Sequence, residues 1–294
     1  MDNFGPNKNN TRDNQDVLRI YIEALLKASS LDINESKLCL YYCMLTHKME
    51  KLSVFPILTL FGQHSTGKSS IMKVMVQLVN NPNPDGEALS YLDFWQGLKI
   101  NDTFPSLRDG LAYGTTSFIE EGDADRKKNE QLLADRYSRQ TAAVKFKQEE
   151  KTGYSQSKAH IFGATIIHKR RGYKDPATAS RSIFVTTKSE PDKIHHNTTF
   201  SDEGRIAFVE IACKVGIYKL NPNNRAQDLW YPLIGLAIEL GDGEWITWAQ
   251  NQLHKQTKSQ TSGGSFDPQQ AVILGLRSDV KNRHQTFHAA SCPA

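Results

Sequence analysis

Residues 62–69 read GQHSTGKS, in which two glycines five positions apart come before a lysine and a serine. The spacing matches the pattern GxxxxGK[ST], whose glycines let the backbone wrap around an anion and whose N–H groups point at phosphate oxygens. The lysine of such a loop reaches the β- and γ-phosphates, and the serine hydroxyl coordinates Mg²⁺. The pattern predicts a site for ATP and Mg²⁺; the alternative is a helix start with a chance lysine and serine nearby. The predicted nucleotide contacts are Gly62, Gln63, His64, Ser65, Thr66, Gly67, Lys68, Ser69 and Ser70, with Lys68 also a catalytic residue and Ser69 a Mg²⁺ ligand.

The residues on either side of this loop have the periodicity that a phosphate-binding loop requires. Residues 54–61 are a short apolar run with β propensity, and residues 69–79 carry apolar side chains at helical spacing. The loop is therefore expected to join a strand to a helix. This context favours the phosphate-binding interpretation over an ordinary turn.

A second stretch, TTSFIEEGDAD at residues 115–125, places carboxylates directly after another apolar run. ATP hydrolysis requires an acidic residue near Mg²⁺ and usually another that orients the attacking water. We expect Glu120 to bind Mg²⁺, although aspartate is the usual residue there, and Glu121 to act as the catalytic residue on the water. Asp123 is an alternative Mg²⁺ ligand, and a plain acidic strand end is the alternative interpretation. The catalytic glutamate favours ATP hydrolysis over phosphate transfer to a small molecule.

Polar and basic residues follow a third apolar run at residues 160–167. His168 or Thr165 is expected to touch the γ-phosphate, because a polar residue at the end of a neighbouring strand can reach it. Arg181, before the next strand, is expected to act as a catalytic arginine on the nucleotide of a neighbouring subunit. The alternatives are a helix C-terminal arginine that neutralises the dipole and a satisfied strand-end imidazole.

Strands that alternate with helices predict an α/β fold, a P-loop NTPase core with a mainly parallel sheet and helices on both faces. N-terminal helices and a small C-terminal helical segment accompany the core. The predicted segments are a disordered tail at 1–14, N-terminal helices at 15–50, the core at 51–220, a helical lid or subdomain at 221–255, and a linker and tail at 256–294. Within them, helices are predicted at 16–25, 38–45, 105–112, 128–140, 226–253 and 269–276, strands at 142–147, 160–167, 182–187 and 205–211, and a polar turn at 148–158.

The composition excludes several classes of protein. The 294 residues are 38% apolar with a net charge of +4, and no apolar run approaches the roughly 18 residues of a membrane span. The N-terminus lacks a hydrophobic signal region, so a cytoplasmic protein is expected. The four cysteines show no zinc-binding spacing, and Cys39 and Cys43 are expected to be buried thiols on one helix face.

The order of these features resembles the ATPase core of AAA+ and superfamily 3 helicase type proteins of phages, plasmids and integrated elements, which often lie beside or fused to primases. The resemblance covers about residues 40–253 and includes the D-x-x-x-x-S-R-S sequence at 175–182 and the helical sequence QDLWYPLIGLAIELGDGEWITWAQ. It implies an oligomeric ring that uses ATP to act on DNA, here expected to be single-stranded. It also implies that the hairpin AVKFKQEEKTG enters the ring channel. The expected nucleic-acid contacts are Lys145, Lys147 and Lys151 of that hairpin, with Lys169, Arg170 and Arg171 of the basic loop.

The first functional prediction is a Mg²⁺-dependent ATPase that translocates on, unwinds or remodels DNA in replication of a phage or mobile element, with a primase as a possible partner. The alternative is an ATP-switched regulator or loader that controls a protein partner without unwinding. A small-molecule kinase is a third possibility, for which the sequence offers no substrate-binding signature. A solvated hairpin with alternating charge is the alternative to the DNA-binding hairpin.

Overall fold

A computed structural model describes residues 8–83, 98–100, 103–120, 123, 127–150, 153–188 and 198–261 of the chain. The helices are α1 (Lys8–Ala28), α2 (Ile33–Thr46), α3 (Lys68–Met75), α4 (Phe104–Gly110), α5 (Lys127–Arg136), α6 (Pro176–Ala179), α7 (Asp202–Lys214), α8 (Arg225–Leu240) and α9 (Gly243–Thr261). The strands are β1 (Ile57–Phe61), β2 (Pro82–Asn83), β3 (Leu98–Lys99), β4 (Thr116–Glu120), β5 (Ala143–Glu150), β6 (Gly153–His160), β7 (Ala164–Lys169) and β8 (Ser182–Thr186). Among the described helices, none combines the length and apolar character that crossing a membrane requires.

The central sheet is parallel, with strand order β2–β4–β7–β1–β8 and with β3 also paired to β4. Every residue of β1 is buried, as expected for a strand covered on both faces. The sheet is flanked by helices, so the predicted α/β class with a mainly parallel sheet is confirmed.

The strand order creates a crevice at the carboxyl edge of the sheet, between β1 and β7. The chain leaves β1 toward β2 on one side, whereas it leaves β7 for β8 on the other side of β1. In open α/β sheets, ligands bind where such connections diverge, outside the carboxyl ends of the strands. The loop that follows β1 therefore lies at the expected ligand position of the fold.

The N-terminal helix α2 begins at a capping box and packs beneath the sheet. The Asp32 carboxylate accepts the Glu35 backbone N–H at 2.8 Å, and the Glu35 carboxylate accepts the Asp32 N–H at 3.2 Å, which satisfies two N–H groups at the helix start. The buried Tyr42 hydroxyl lies 2.8 Å from the Pro56 carbonyl oxygen and 2.9 Å from that of Thr165. Helix α2 thus holds the amino ends of β1 and β7.

The C-terminal helices pack on these N-terminal helices. Both α8 and α9 contact α2, and the Trp245 indole N–H donates to the Asn34 carbonyl at 3.0 Å. At the turn between α8 and α9, the Asp242 carboxylate accepts from Lys37 at 2.7 Å and from Tyr41 at 2.6 Å. The helices predicted over 226–253 are present, and they contact the N-terminal helices.

One predicted strand is a helix. Residues 205–211 lie in α7, which begins after the N-cap Ser201 and has Asp202 and Glu203 in its first turn. The prediction followed the β propensity of single residues. The structure follows the helical spacing of the buried Phe208, Ile211 and Ala212 and the favourable charge at the helix start.

Four other boundaries differ from the predictions. The polar stretch 148–158 is mostly β-hairpin, because β5 and β6 pair from Ala143–His160 to Glu150–Gly153. The strand predicted at 160–167 divides into the end of β6 and the start of β7, and α1 begins within the predicted disordered tail. Helix α9 extends into the predicted linker as far as Thr261. The helix predicted at 269–276 lies outside the described residues.

Candidate nucleotide-binding site

The loop after β1 has the backbone conformation that its glycines allow. Gly67 has φ 80° and ψ 10° and immediately precedes α3, whose first residue is Lys68. Ser65 also has a positive φ of 57°. A Cβ on Gly62 would lie 2.2 Å from the Thr187 hydroxyl oxygen, so no larger residue fits there without displacement. The loop therefore curls back at the start of α3, with the helix N–H groups available to an anion.

The Lys68 ammonium lies inside the curl of the loop. Its Nζ donates to the Gly62 carbonyl at 2.8 Å and to the Thr66 hydroxyl at 3.1 Å, and it also contacts the Gln63 carbonyl. Burial, and next the charge of Arg170, lower the pKa of Lys68 to about 8, while the Asp123 carboxylate opposes them. Lys68 is therefore a partly desolvated cation held by neutral carbonyls, which a phosphate can replace.

Thr187, which directly follows β8, supports the loop and was missed by the sequence analysis. Its hydroxyl lies 2.7 Å from the Thr66 hydroxyl, and its backbone N–H donates to the Phe61 carbonyl at 2.8 Å. These contacts tie the loop to two neighbouring strands. No local pattern marks Thr187, because its role depends on the register of β8 beside β1.

A cavity of about 490 Å³ opens beside the loop. Its lining includes two residues from the end of β7 in addition to the loop: the full set is His64, Ser65, Thr66, Gly67, Lys68, Ser69, Ser70, His168 and Arg170. His168 therefore lines the same cavity as the loop, and its contact with the nucleotide stays a prediction. Thr165, the alternative, is level with Ile57 at the opposite end of β1 and is too far from the cavity for that role.

Glu120, the predicted Mg²⁺ ligand, lies at the same sheet edge as the loop. Ile119 is level with Ile167, so Glu120, the last residue of β4, is level with His168. Strand β7 separates β4 from β1, which places Glu120 two strand spacings, roughly 10 Å, from the loop strand. Glu121 lies outside the described residues.

Asp123 has a different environment from that predicted for a Mg²⁺ ligand. Its carboxylate accepts backbone N–H groups of Arg170, at 3.0 and 3.2 Å, and of Arg171, at 2.9 Å, as well as the Arg170 side-chain Nε–H at 2.7 Å. Burial alone would raise the pKa of Asp123, but these hydrogen bonds outweigh it and lower the pKa. Asp123 is thus an ionised group that fixes the residues after β7.

The donor set fits Mg²⁺ bound together with a nucleotide. Among the described residues, no group of three or more His, Cys, Asp or Glu side chains could hold a metal ion by itself. Mg²⁺ at phosphate sites usually keeps several waters and takes one or two protein oxygens plus phosphate oxygens. The Ser69 hydroxyl lines the cavity and the Glu120 carboxylate ends a nearby strand, so oxygen ligands of the right kind are present.

Lys169 must be removed from the predicted nucleic-acid contacts. Its side chain is 1% exposed and pairs with the equally buried Glu130 at 3.1 Å. Burial lowers the pKa of Lys169, and the Glu130 charge opposes this effect. Glu130 also accepts the Asp175 backbone N–H at 2.8 Å. This pair joins β7 to α5 and α6 beneath the site.

Arg181 lies at the opposite edge of the sheet from the cavity. Its carbonyl accepts the backbone N–H of Ile57, the first residue of β1, and its Nη1 donates to the Ala177 carbonyl at 2.8 Å. Strand β1 rises about 3.3 Å per residue over five residues, so Arg181 cannot reach the loop of its own chain. Its predicted role on a neighbouring subunit's nucleotide stays a prediction.

The hairpin β5–β6 presents an exposed polar face. Lys145 on β5 is directly opposite Lys158 on β6, and both side chains are exposed, as is that of His160. The opposite face packs on the protein, where the Arg108 guanidinium lies 3.7 Å from the centre of the Phe146 ring. Lys158 was missed by the sequence analysis. The Lys147 side chain and Lys151 lie outside the described part of the structure.

No family model and no curated protein matches this chain. Among solved structures, the chain is similar to one titled "SCCmec type IV Cch - active helicase", with 16% identity and a TM-score of 0.42 over 84% of this chain and 50% of that one. It is also similar to the A form apo structure of the NrS-1 C-terminal region, with 12% identity and a TM-score of 0.32 over 65% of this chain and 42% of that one. This chain therefore spans half or less of the length of these two solved chains.

Proposed function

We propose that this chain is a Mg²⁺-dependent P-loop ATPase that translocates on, unwinds or remodels DNA in replication of a phage or mobile element. The supporting observation is the loop at residues 62–69, which curls around the Lys68 ammonium at the crevice between β1 and β7. The glycine conformations, the buried cation and the helix start are the features by which such loops bind phosphate.

The proposed roles rest on the positions of the described groups and, for Glu121, on the sequence alone. The loop N–H groups and Lys68 bind the phosphates, and Ser69 and Glu120 hold Mg²⁺, which would stabilise charge on the phosphate oxygens. Glu121 orients the attacking water. His168 contacts the nucleotide from the end of β7, where it lines the cavity.

The hairpin supports the DNA part of the proposal. Like charges directly opposite one another on a hairpin are destabilising, and Lys145 and Lys158 are such a pair. An anionic backbone between the two ammonium groups would offset the repulsion. Contacts of this kind bind single-stranded DNA with little sequence preference and strong salt dependence.

Assembly into a homo-oligomeric ring is part of the same proposal. Arg181 is too far from the loop of its own chain, so a role in catalysis requires the nucleotide of a second copy. A primase or another replication protein is the proposed partner of such a ring.

The first test is ATP hydrolysis by the purified protein with and without single-stranded DNA. Lys68→Ala should abolish turnover, and Lys73→Ala, which removes the same charge from the same helix, should retain it. DNA-stimulated turnover that vanishes only in the first variant supports the proposal. Turnover that is indifferent to DNA but stimulated by a protein partner would instead favour the ATP-switched regulator.

The second test asks whether the lysines of the hairpin bind DNA specifically or only through the positive charge of the whole protein. Lys145→Ala combined with Lys158→Ala should weaken single-stranded DNA binding and reduce the salt slope by about 1.4, since each phosphate contact contributes about 0.7. Lys27→Ala combined with Lys255→Ala removes two exposed charges elsewhere and should leave the slope unchanged. Equal slopes in the two double variants would contradict the hairpin assignment.

A further inference from the structure

Arg170 spans the space between the loop and Asp123. It directly follows β7 and lines the cavity together with Lys68 and Ser69. Its Nε–H donates to the Asp123 carboxylate at 2.7 Å, and its Nη1 contacts the Nε2 atom of His64, the third residue of the loop. One guanidinium thus links the end of a neighbouring strand to the phosphate-binding loop.

The two partners of Arg170 hold it with different strength. Asp123 is 8% exposed, is ionised, and accepts backbone N–H groups as well as the side chain, so this contact is a charged anchor. His64 belongs to an exposed part of the loop, and its Nε2 can accept from Arg170 only while the imidazole is neutral. A phosphate oxygen is a stronger acceptor than a neutral ring nitrogen and would replace it.

The position of Arg170 determines which phosphate it can meet. Lys68 reaches the β- and γ-phosphates in a loop of this type. Arg170 faces the same cavity from β7, and its charge disfavours the protonated form of Lys68. It enters from the edge that carries His168 and Glu120, where the Mg²⁺ and water-orienting groups are proposed. The end of the phosphate chain nearest these groups is the terminal one.

We propose that Arg170 is a phosphate-binding residue that, when a nucleoside triphosphate binds, leaves His64 and contacts the terminal phosphate while Asp123 holds its other side. Asp123 is then a positioning residue. The inference rests on the proposed nucleotide-binding function and adds a residue that distinguishes a triphosphate from a diphosphate. It also reassigns Arg170, for which the sequence predicted a nucleic-acid contact.

The test measures the affinity of the full chain for β,γ-imido-ATP and for ADP, each with Mg²⁺, by calorimetry. Arg170→Ala should weaken binding of the triphosphate analogue at least about tenfold, since a charged hydrogen bond to phosphate is lost, and should leave ADP affinity within about twofold. Arg171→Ala is the matched control, because it removes the same charge from the next, exposed position and should change neither affinity. Asp123→Ala, like Arg170→Ala, should lower the ratio of the affinity for the triphosphate analogue to the affinity for ADP.

The outcomes separate this inference from the function on which it rests. If Lys68→Ala binds both nucleotides as the wild type does, the proposed nucleotide site is wrong. If Lys68→Ala weakens both but Arg170→Ala changes both equally or neither, only the role of Arg170 is overturned. ADP binding reports that the variant is folded. Should Arg170→Ala fail to fold, Arg170→Lys replaces it in the test, because the single lysine ammonium can pair with Asp123 but cannot also reach a phosphate. If Arg170→Lys leaves the ratio of triphosphate to diphosphate affinity unchanged, the proposed role of Arg170 is also overturned.

Discussion

Two arginines at opposite edges of the sheet show how differently the same side chain is used. At the carboxyl edge, the Arg170 side chain is 38% exposed and lines the cavity. At the amino edge, Arg136 is 1% exposed and donates to backbone carbonyls and hydroxyls around it. Its partners include the carbonyls of Thr115 at 2.5 Å, Ile161 at 2.6 Å and Ala164 at 3.2 Å.

The two arginines differ in whether the N–H donors of the guanidinium are already hydrogen-bonded within the protein. Arg136 joins the segments before β4 and β7, and a Cβ on Gly163 would lie 2.3 Å from its Nη2, so the surrounding backbone is fitted to it. Arg170 is anchored by one carboxylate and touches the His64 imidazole, which a ligand can replace. Arg136 therefore stabilises the amino edge of the sheet, whereas Arg170 at the carboxyl edge keeps donors that a ligand can use.

Arg136 is expected to matter most for the stability of the fold. Arg136→Met should lower the free energy of unfolding by about 3–5 kcal/mol, because several buried carbonyl groups lose their donor. Urea unfolding measures the loss. Arg205→Met, at a partly exposed arginine paired with the exposed Asp202 on α7, should change stability by less than about 0.5 kcal/mol. A loss below about 1 kcal/mol for Arg136→Met would show that its contacts do not hold the amino edge together.

Lys169 and Arg170, neighbours at the end of β7, should differ in the same way. Lys169→Met should cost about 3 kcal/mol, because it leaves the buried Glu130 carboxylate without its cation, although the Asp175 N–H remains. Arg170→Met should cost less than about 1 kcal/mol, because its ion pair is partly exposed. Urea midpoints compare the two variants directly, and equal losses would contradict the division into a buried support and an exposed ligand.

The pH dependence of nucleotide affinity tests the partly desolvated Lys68. Its pKa of about 8 in the ligand-free protein means that the ammonium loses its proton as pH rises through 8, whereas bound phosphate requires the charged form. Affinity for β,γ-imido-ATP should therefore be flat up to pH 7 and fall by up to about tenfold per pH unit above 8. Lys68→Arg, whose guanidinium does not titrate in this range, should show no such fall. A flat wild-type profile to pH 9.5 would contradict the lowered pKa.

The smallest expected effect concerns Glu35 at the start of α2. Burial, and next the charge of Asp32, raise the pKa of Glu35 to about 7. Because the folded pKa lies above the unfolded value, this group's stabilising contribution is complete below about pH 4.5 and is lost as pH rises through 7. Glu35→Gln should remove that slope and raise stability at pH 8 by on the order of 1 kcal/mol. Urea unfolding at pH 5 and 8 measures the change in stability with pH. An identical change in the variant and the wild type would contradict the raised pKa of Glu35.

The sequence predicted the loop well because glycine spacing encodes backbone geometry directly. Gly67 takes a left-handed conformation, and the lack of a side chain at Gly62 leaves room for Thr187, so both constraints act through residue type. The strand and helix on either side follow from local hydrophobic periodicity. These features need no knowledge of which segments become neighbours.

The roles of the charged residues could not be predicted in the same way. The basic stretch after β7 was interpreted as one nucleic-acid surface, but alternate residues of a strand end point to opposite faces. Lys169 is buried on Glu130, and Arg170 is paired with Asp123, which lies 47 positions earlier in the chain. The partners come from segments that only the sheet order brings together, so a charge count along the chain could not separate them.

The contacts between α2 and the last two described helices also determine how late α2 can complete its packing while the chain is being synthesised. The Trp245 indole that meets the Asn34 carbonyl is 211 positions later in the chain. At about 5–20 residues per second, the ribosome takes roughly 10–40 s to supply that partner. During this time the apolar face of α2 has no access to its C-terminal cover, so a nascent chain stalled before Trp245 would expose that face to chaperones.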